Sequence, residues 1–506
     1  MILAGIMFTA VTLLFLDFTG VLHHWLGWTA QIQFLPALLA LNLIVVIILL
    51  LITALFGRIY CSIICPLGIL QDIIAWFGTR RKKNRLKYHY TKPQNILRYV
   101  ILAVFSLLMI AGINSIAILI APYSAYGRIA QNLFQPIYHA GNNVLAYFAE
   151  RIDSYAFYPV EIWVKSIPTF IIALFTFIII AFLAWRGGRT WCNTLCPIGT
   201  LLGLISRFSW FKPVIDKDKC IQCRICEKGC KSSCIDINSH TIDTSRCVVC
   251  MNCLGNCKKG AISYKHTPYI KASKQKIHEE NGEMTPHKTD NTETSTVRRG
   301  FILSLPALAL SAANAYAQDN KTTDGGMSEL KPRKHPDRGE FSLKPAGSRS
   351  YQNFSRRCTG CQLCVAECPN GVLRPSASLL HLMQPEMGFD KGFCRPECTR
   401  CSEICPTEAI QKISRAEKSS IQVGHAVWVK DLCLPAIEGT RCGNCSRHCP
   451  NGAIEMIEID GPKGEKVEVP SVDTERCIGC GACEYVCPVR PISAIHIVGH
   501  EVHKEI

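Results

Sequence analysis

The run TVRRGFILSLPALALSAANAYAQ, residues 296–318, divides the 506-residue chain in two and sets how each part is read. Arg298 and Arg299 precede Phe301, a mostly apolar run continues to Ala313, and Ala315-Tyr316-Ala317 closes it with small residues. That layout is a twin-arginine export signal placed in mid-chain. The run has only about 13 to 17 apolar residues and contains Pro306, which is short for a spanning helix and suits a signal core. Left uncut, it forms a fifth membrane span; the plainer alternative is an apolar helix that happens to follow two arginines. The flanking stretches 264–295 and 319–350 are polar and charged, cannot bury a core, and read as linkers.

Composition separates the two parts further. Apolar residues crowd the first 210 positions, whereas 25 of the 29 cysteines lie after position 219. The net charge of +16 sits beside apolar spans and in linkers, a pattern of membrane topology that argues against a nucleic-acid partner. The cysteines fall in tight C-x2-C-x2-C-x3-C runs, which point to metal clusters over the dispersed spacing of a disulfide scaffold.

Residues 1–212 read as an α-helical membrane module with four spans, at about 3–22, 34–56, 96–121 and 167–185. The loop 57–95 carries Arg58, Arg80, Arg81, Lys82, Lys83, Arg85, Lys87 and Lys92 against one acid, Asp72, and is expected on the cytoplasmic side. The loops 23–33 and 122–166 are expected on the other side, the second lying in the headgroup region because it holds ten aromatic residues, Tyr123, Tyr126, Tyr138 and Trp163 among them. Gly57-Arg58-Ile59-Tyr60-Cys61-Ser62-Ile63-Ile64-Cys65-Pro66-Leu67-Gly68 returns 131 positions later as Gly188-Arg189-Thr190-Trp191-Cys192-Asn193-Thr194-Leu195-Cys196-Pro197-Ile198-Gly199. The module is therefore two related helix pairs, each ending in C-x3-C-P. Cys61, Cys65, Cys192 and Cys196 are candidates for an extra metal or redox site, against the alternative of packed thiols. His23-His24, beside Trp25 and Trp28, is a weak candidate for a quinol contact and an ordinary interfacial pair otherwise.

Residues 213–263 contain Cys220, Cys223, Cys226, Cys230 and Cys247, Cys250, Cys253, Cys257, spaced as in a two-cluster bacterial ferredoxin of α+β fold. The fourth cysteine of each run reaches the other cluster, giving Cys220, Cys223, Cys226 with Cys257, and Cys247, Cys250, Cys253 with Cys230. Lysine instead of proline follows Cys230 and Cys257, and the extra Cys234 is an alternative to Cys230 as ligand. Structural zinc would use paired C-x2-C elements with longer gaps. This unit follows an inward-ending span and is expected in the cytoplasm.

Residues 351–506 hold four more groups: Cys358, Cys361, Cys364, Cys368; Cys394, Cys398, Cys401, Cys405; Cys433, Cys442, Cys445, Cys449; and Cys477, Cys480, Cys483, Cys487. Each ends in Cys-x3-Cys-Pro, and sixteen thiolates make four [4Fe–4S] clusters, six in the whole chain. The openings at Cys394 and Cys433 are wider, so local loops differ there, and spacing leaves open which groups exchange fourth cysteines.

With these motifs in place, residues 1–263 resemble the NapH-type membrane subunit of the quinol dehydrogenase serving periplasmic nitrate reductase. Residues 296–506 resemble its exported, NapG-type four-cluster partner, so the chain looks like a fusion of the two. Other relatives of the first half are the NosR and CcoG types. The resemblance implies electron flow from menaquinol or ubiquinol in the membrane pool to a periplasmic reductase or other acceptor, with the first ferredoxin cytoplasmic and the four-cluster part periplasmic. If the chain is an enzyme, it is the quinol dehydrogenase component; no nucleophile–base pair, phosphate loop or dinucleotide fingerprint is evident. The alternative implied by the CcoG likeness is a metal-reducing or maturation accessory protein whose C-x3-C-P thiolates bind a soft metal. Two cluster groups inside and four outside would be separated by about 30 Å of hydrocarbon, so the C-x3-C-P site or the mobile quinol must connect them.

Overall fold

The computed structural model describes residues 2–80, 87–266, 333–462 and 464–506. The twin-arginine stretch 296–318, most of both linkers, and Arg81, Lys82, Lys83 and Arg85 lie outside those residues.

The apolar first part folds into helices shorter than expected. The first ends at Leu16, not near residue 22. Asp17 stops it: its buried carboxylate accepts from the Thr19 amide at 2.9 Å, the Thr19 hydroxyl at 2.7 Å and the Leu22 amide at 2.9 Å, which turns the chain and caps the next short helix. The second expected span is split into Phe34–Leu39 and Leu43–Phe56, with the Asn42 side chain capping the latter. The third breaks at Gly112, where φ is +76°, into Asn95–Ile110 and Asn114–Ile120. Among the described residues only Ile167–Gly187, 21 residues and about 32 Å long, is long and apolar enough to cross a bilayer alone. It ends where Gly188 takes φ +70°.

Two segments expected in loops are helical core. Pro66–Thr79, placed by charge in the loop 57–95, packs against Ile167–Gly187 and Ile2–Leu16. Pro66 starts it and the apolar run Leu67–Phe77 sustains it, so the basic residues cluster only beyond its end. In 122–166, every residue of the helix Pro122–Ile129 is buried, so Tyr123 and Tyr126 belong to the core and not to a headgroup layer; Tyr138, Tyr147, Phe148, Tyr155, Phe157 and Tyr158 are the exposed ones. Around this core the helices turn apolar side chains outward, among them Ile44, Ile47, Leu107, Ile171, Phe175 and Phe182.

The cysteine-rich parts are α+β, built from short helices and five two-stranded antiparallel sheets among the described residues. In the first, Phe211–Ile215 pairs with Ile262–His266 and Ile235–Asp236 with Thr241–Ile242. In the second, Ile421–Trp428 pairs with Ile495–Glu505, Ile454–Asp460 with Lys466–Val472, and Leu373–Pro375 with Pro385–Met387.

The two cysteine-rich parts sit at opposite ends of the helical part. At the start of Asn95–Ile110, Arg98 reaches Ser245; just past its end, Asn114 donates to the Ser355 carbonyl at 3.1 Å. Ahead of Ile167–Gly187, Lys165 donates to the Val365 carbonyl at 2.6 Å; past its end, the Arg189 amide donates to the Lys231 carbonyl at 2.9 Å. Helices thus run from one cysteine-rich part to the other.

Arg338 holds the later part together. It donates to both Glu484 oxygens, at 3.0 and 2.6 Å, and to the Ile497 carbonyl, while Glu484 also takes the Ile497 amide. Arg338→Met leaves the Glu484 carboxylate buried without its partner and is expected to destabilise this part by about 3 kcal/mol, read as a lower guanidinium midpoint by circular dichroism.

Candidate metal centres

Folding resolves the pairings that spacing left open. In the later part Cys405 comes to Cys358, Cys361 and Cys364, its charge acting on all three. Cys368 lines one small cavity with Cys394, Cys398 and Cys401. Cys487 joins Cys433, Cys442 and Cys445 in another, and Cys449 stands in range of Cys477 and Cys480. Every fourth cysteine therefore crosses to the neighbouring run. The Cys394 amide donates to the Cys480 carbonyl at 3.0 Å, so the crossed pairs join end to end. The resulting order is Cys358/361/364/405, Cys394/398/401/368, Cys477/480/483/449, Cys433/442/445/487.

In the unit 213–263, Cys226 lies within range of Cys223 and of Cys257 from the other run. The second gathers Cys230, Cys247, Cys250 and Cys253 round a cavity that Cys234 also lines. Cys234 is buried, with its Sγ 3.6 Å from that of Cys230 and in hydrogen-bond contact with Cys247. Its hydrogen bond pulls the Cys230 thiol down to about 7 and lowers that of Cys247 as well. A neutral Cys234 has one S–H to give, and the sulfurs of Cys230 and Cys247 are both within its reach.

The residues present fit multi-iron clusters on three counts. First, the C-x2-C-x2-C loops share a backbone signature: the residue before and the residue after the middle cysteine both take positive φ. These pairs are Gln222 and Arg224, Val249 and Met251, Gly360 and Gln362, and Gly479 and Gly481. Five of those eight are not glycine, a costly choice that turns successive amides toward a common centre. The widened loops at Cys394 and Cys433 lack the pair: Thr399 has φ −110° and Gly443 is extended. Second, amides donate to sulfur: Ala261 to Cys257 at 3.3 Å, Ala453 to Cys449 at 3.2 Å and Ile410 to Cys405 at 3.5 Å. Third, Lys165, Lys344 and Lys418 stand beside cysteines with no carboxylate at ion-pair distance among the described residues, a buried positive charge that an anionic cluster balances. Among the described residues no three His, Cys, Asp or Glu side chains close on a single ion. The sulfurs of a zinc site, about 2.3 Å from the metal, would lie about 3.8 Å apart, closer than the corners of a cube require.

Cys61, Cys65, Cys192 and Cys196 are all brought together and are 3–4% exposed. The two copies of the repeat cross at this point. Arg58 Nη2 donates to the Cys192 carbonyl at 3.2 Å, and Arg189 Nη1 donates to the Cys61 carbonyl. Gly199 and Gly68 sit beneath these guanidinium groups, where a β-carbon would strike the Cys192 and Cys61 carbonyls respectively. Sulfur receives Gln71 Nε2 on Cys192 at 3.2 Å and the Gly199 amide on Cys196 at 3.3 Å. Arg189 is paired with Asp72 at 2.7 Å, but Arg58, fully buried, has no carboxylate partner among the described residues. His23 packs under Gly27 and within range of Glu403.

A cavity of about 560 Å³ was not foreseen from the sequence. Phe18, Gln131, His139, Tyr158, Glu367 and Cys368 line it, and Gln131 Oε1, His139 Nε2 and Glu367 Oε2 are buried without partners. Burial, reinforced by Asp17, pushes the Glu367 carboxyl up to about 7 against the pull of Arg400, and burial with Lys165 brings His139 down to about 4. These residues come from segments far apart in the chain.

A family described as a 4Fe-4S binding domain matches residues 38–85 and 168–217, which contain the two C-x3-C-P copies. A 4Fe-4S dicluster domain matches residues 440–490. The methylamine utilization ferredoxin-type protein MauM of Methylobacillus flagellatus is 31% identical over 169 residues, 32% of this chain and 69% of that protein. The chain belongs to the ferredoxin-type iron–sulfur family. Within that family, the ferredoxin-type protein NapF of Escherichia coli K12 is 28% identical over 159 residues, 31% of this chain and 87% of the relative. The ferredoxin-type protein NapG of the same strain is 31% identical over 153 residues, 29% of this chain and 65% of the relative. No solved structure matches the chain. As a ferredoxin-type protein it carries 4Fe-4S domains and acts as an iron–sulfur electron carrier.

Cys234→Ala is expected to leave iron content unchanged and to lower the midpoint potential of the adjoining cluster, because a donor to ligand sulfur is lost; anaerobic redox titration followed by electron paramagnetic resonance measures it. Gly199→Ala is expected to push the Cys192 carbonyl and the Arg58 guanidinium apart and to destabilise the helical part, read as a lower thermal midpoint of the helical signal by circular dichroism.

Proposed function

We propose that this chain takes electrons from membrane quinol and passes them outward to an exported reductase, as the NapH-type and NapG-type resemblance implies. The observation that carries the reading is the end-to-end line of four cysteine sets beginning against the helical part, with a cavity beside Cys368. In this reading residues 1–212 lie in the cytoplasmic membrane, 213–263 face the cytoplasm and 351–506 the periplasm, joined through 264–295, the twin-arginine stretch 296–318 and 319–350. The outward apolar side chains support burial in lipid. The helices too short to cross alone then span as packed groups.

The six ferredoxin-type sets would each hold a [4Fe–4S] cluster, which supplies one-electron exchange when bound. The chain's own residues do the rest. Phe18 and Tyr158 flank a ring-shaped headgroup in the cavity, and Gln131 Oε1 takes a hydrogen bond from one quinol hydroxyl. Oxidation releases two protons and two electrons: the unpartnered Oε2 of Glu367, whose carboxyl burial raises to about 7, takes one proton, the neutral His139 receives the other at its unpartnered Nε2 and releases it to solvent, and the electrons leave one at a time past Cys368. In this reading the cavity, and not His23-His24, is the quinol contact. A metal-delivery role fits less well, since thiols that hand over a metal need access and these four are 3–4% exposed.

In anaerobic membranes, adding a short-chain quinol is expected to bleach absorbance near 400 nm. His139→Leu should slow that bleaching about 10²-fold with iron content unchanged. An unaltered rate in the variant removes the cavity from the route.

A further inference from the structure

About 30 Å of hydrocarbon separates the expected inner and outer cluster groups, and the C-x3-C-P site was one of the two links the sequence offered. The structure places the four C-x3-C-P cysteines between the two cysteine-rich parts and builds contacts from them in both directions. Toward the inner unit, one guanidinium spans the gap. Arg58 Nη1 donates to the Ser245 carbonyl at 3.0 Å, two residues before Cys247, while its Nη2 lies 3.8 Å from Cys61 Sγ. Asn193, next to Cys192, donates to the Ser232 carbonyl, two residues after Cys230. Gly57 abuts Val249, so the inner set that contains Cys230 and Cys247 is seated directly on the repeat.

Toward the outer part the link is aromatic. Tyr60 is buried in electrostatic range of Cys65, Cys61 and Cys196, its hydroxyl fixed by the Phe34 amide and Gln33 Oε1, each at 3.1 Å. Tyr123 is in range of Tyr60 and equally of Cys361 and Cys405. It lies on the buried helix Pro122–Ile129, whose Gly127 meets the Cys361 carbonyl so closely that no side chain fits between. Neither ring is more than 2% exposed. The four thiols themselves receive an amide, a carboxamide and a guanidinium, and Arg58 brings a buried positive charge without a carboxylate to balance it. A tetrathiolate iron–sulfur cluster is the anion this chemistry suits.

The 4Fe-4S binding domain match covers both stretches that hold Cys61, Cys65, Cys192 and Cys196, and we propose that a seventh [4Fe–4S] cluster on these four cysteines is the conduit through which the chain passes electrons across the bilayer between the inner ferredoxin-like unit and the outer line. The inference shares with the functional reading only the placement of the two cysteine-rich parts on opposite faces; it does not need quinol. Its reaction is one-electron exchange. A reduced iron–sulfur protein of the cytoplasmic ferredoxin class is oxidised on the inner face, a one-electron acceptor is reduced on the outer face, and no atom or proton is transferred.

The test uses the full chain in sealed inside-out membrane vesicles loaded with cytochrome c, with reduced bacterial ferredoxin added outside. Trapped cytochrome c is expected to be reduced, and Cys61→Ser with Cys192→Ser should slow this at least tenfold while lowering iron by about four atoms per chain. Tyr123→Leu, which keeps all the iron, should also slow transfer. Iron content equal to wild type in the cysteine variant overturns the site, and trapped cytochrome c reduced equally fast in either variant overturns the route. Quinol-driven bleaching, followed in parallel, separates the two readings. Its absence from wild type alongside intact transfer overturns only the quinol role, and its presence without any transfer overturns only the conduit.

Discussion

Two buried arginines that cross between the halves of a repeat fix the centre of this molecule. Arg58 reaches the carbonyl of Cys192 and Arg189 that of Cys61, so each copy finishes the other's turn. The rest of the motif follows from that crossing. Gly57 and Gly188 take positive φ to end the preceding helices and swing the arginines inward. Pro66 and Pro197 start the next helices, and Gly68 and Gly199 leave room for the guanidinium groups to pass. The shared pattern G-R-x-[YW]-C-x3-C-P-x-G is thus one packing solution used twice, with the cysteines gathered where the two uses meet.

The same crossing positions both cysteine-rich parts. Arg58 also binds the Ser245 carbonyl and the Arg189 amide binds that of Lys231, which seats the inner unit against the repeat. The helix Pro66–Thr79 that leaves the motif packs on Pro122–Ile129, and that helix in turn lies against the loop of Cys361. Displacing the arginines would loosen the site and both of its neighbours together.

Much of this was legible in the sequence where chemistry is local. The C-x2-C-x2-C-x3-C spacing announces its own fold because three thiols and a tight loop suffice to define it, and the repeat was visible because Arg58, Cys61, Cys65 and Pro66 recur in register. Helix ends were not legible in an apolar run. Asp17 lies inside the span expected at 3–22, yet its carboxylate turns the chain there through three hydrogen bonds from Thr19 and Leu22. Pro66–Thr79 was hidden because charge counted over 57–95 averaged a buried helix with the basic stretch beyond it. The cavity beside Cys368 was unreadable for a different reason: Phe18, His139, Tyr158 and Glu367 are brought together only by docking of parts remote in the chain.

The strained loops carry a consequence for cluster binding. Gln222, Arg224, Val249, Met251 and Gln362 adopt a left-handed backbone that side chains of their kind disfavour by about 1–2 kcal/mol each. A cluster bound at the neighbouring cysteines would offset that cost, so part of its binding energy goes into holding the loop, and glycine at any of these positions would relieve the strain.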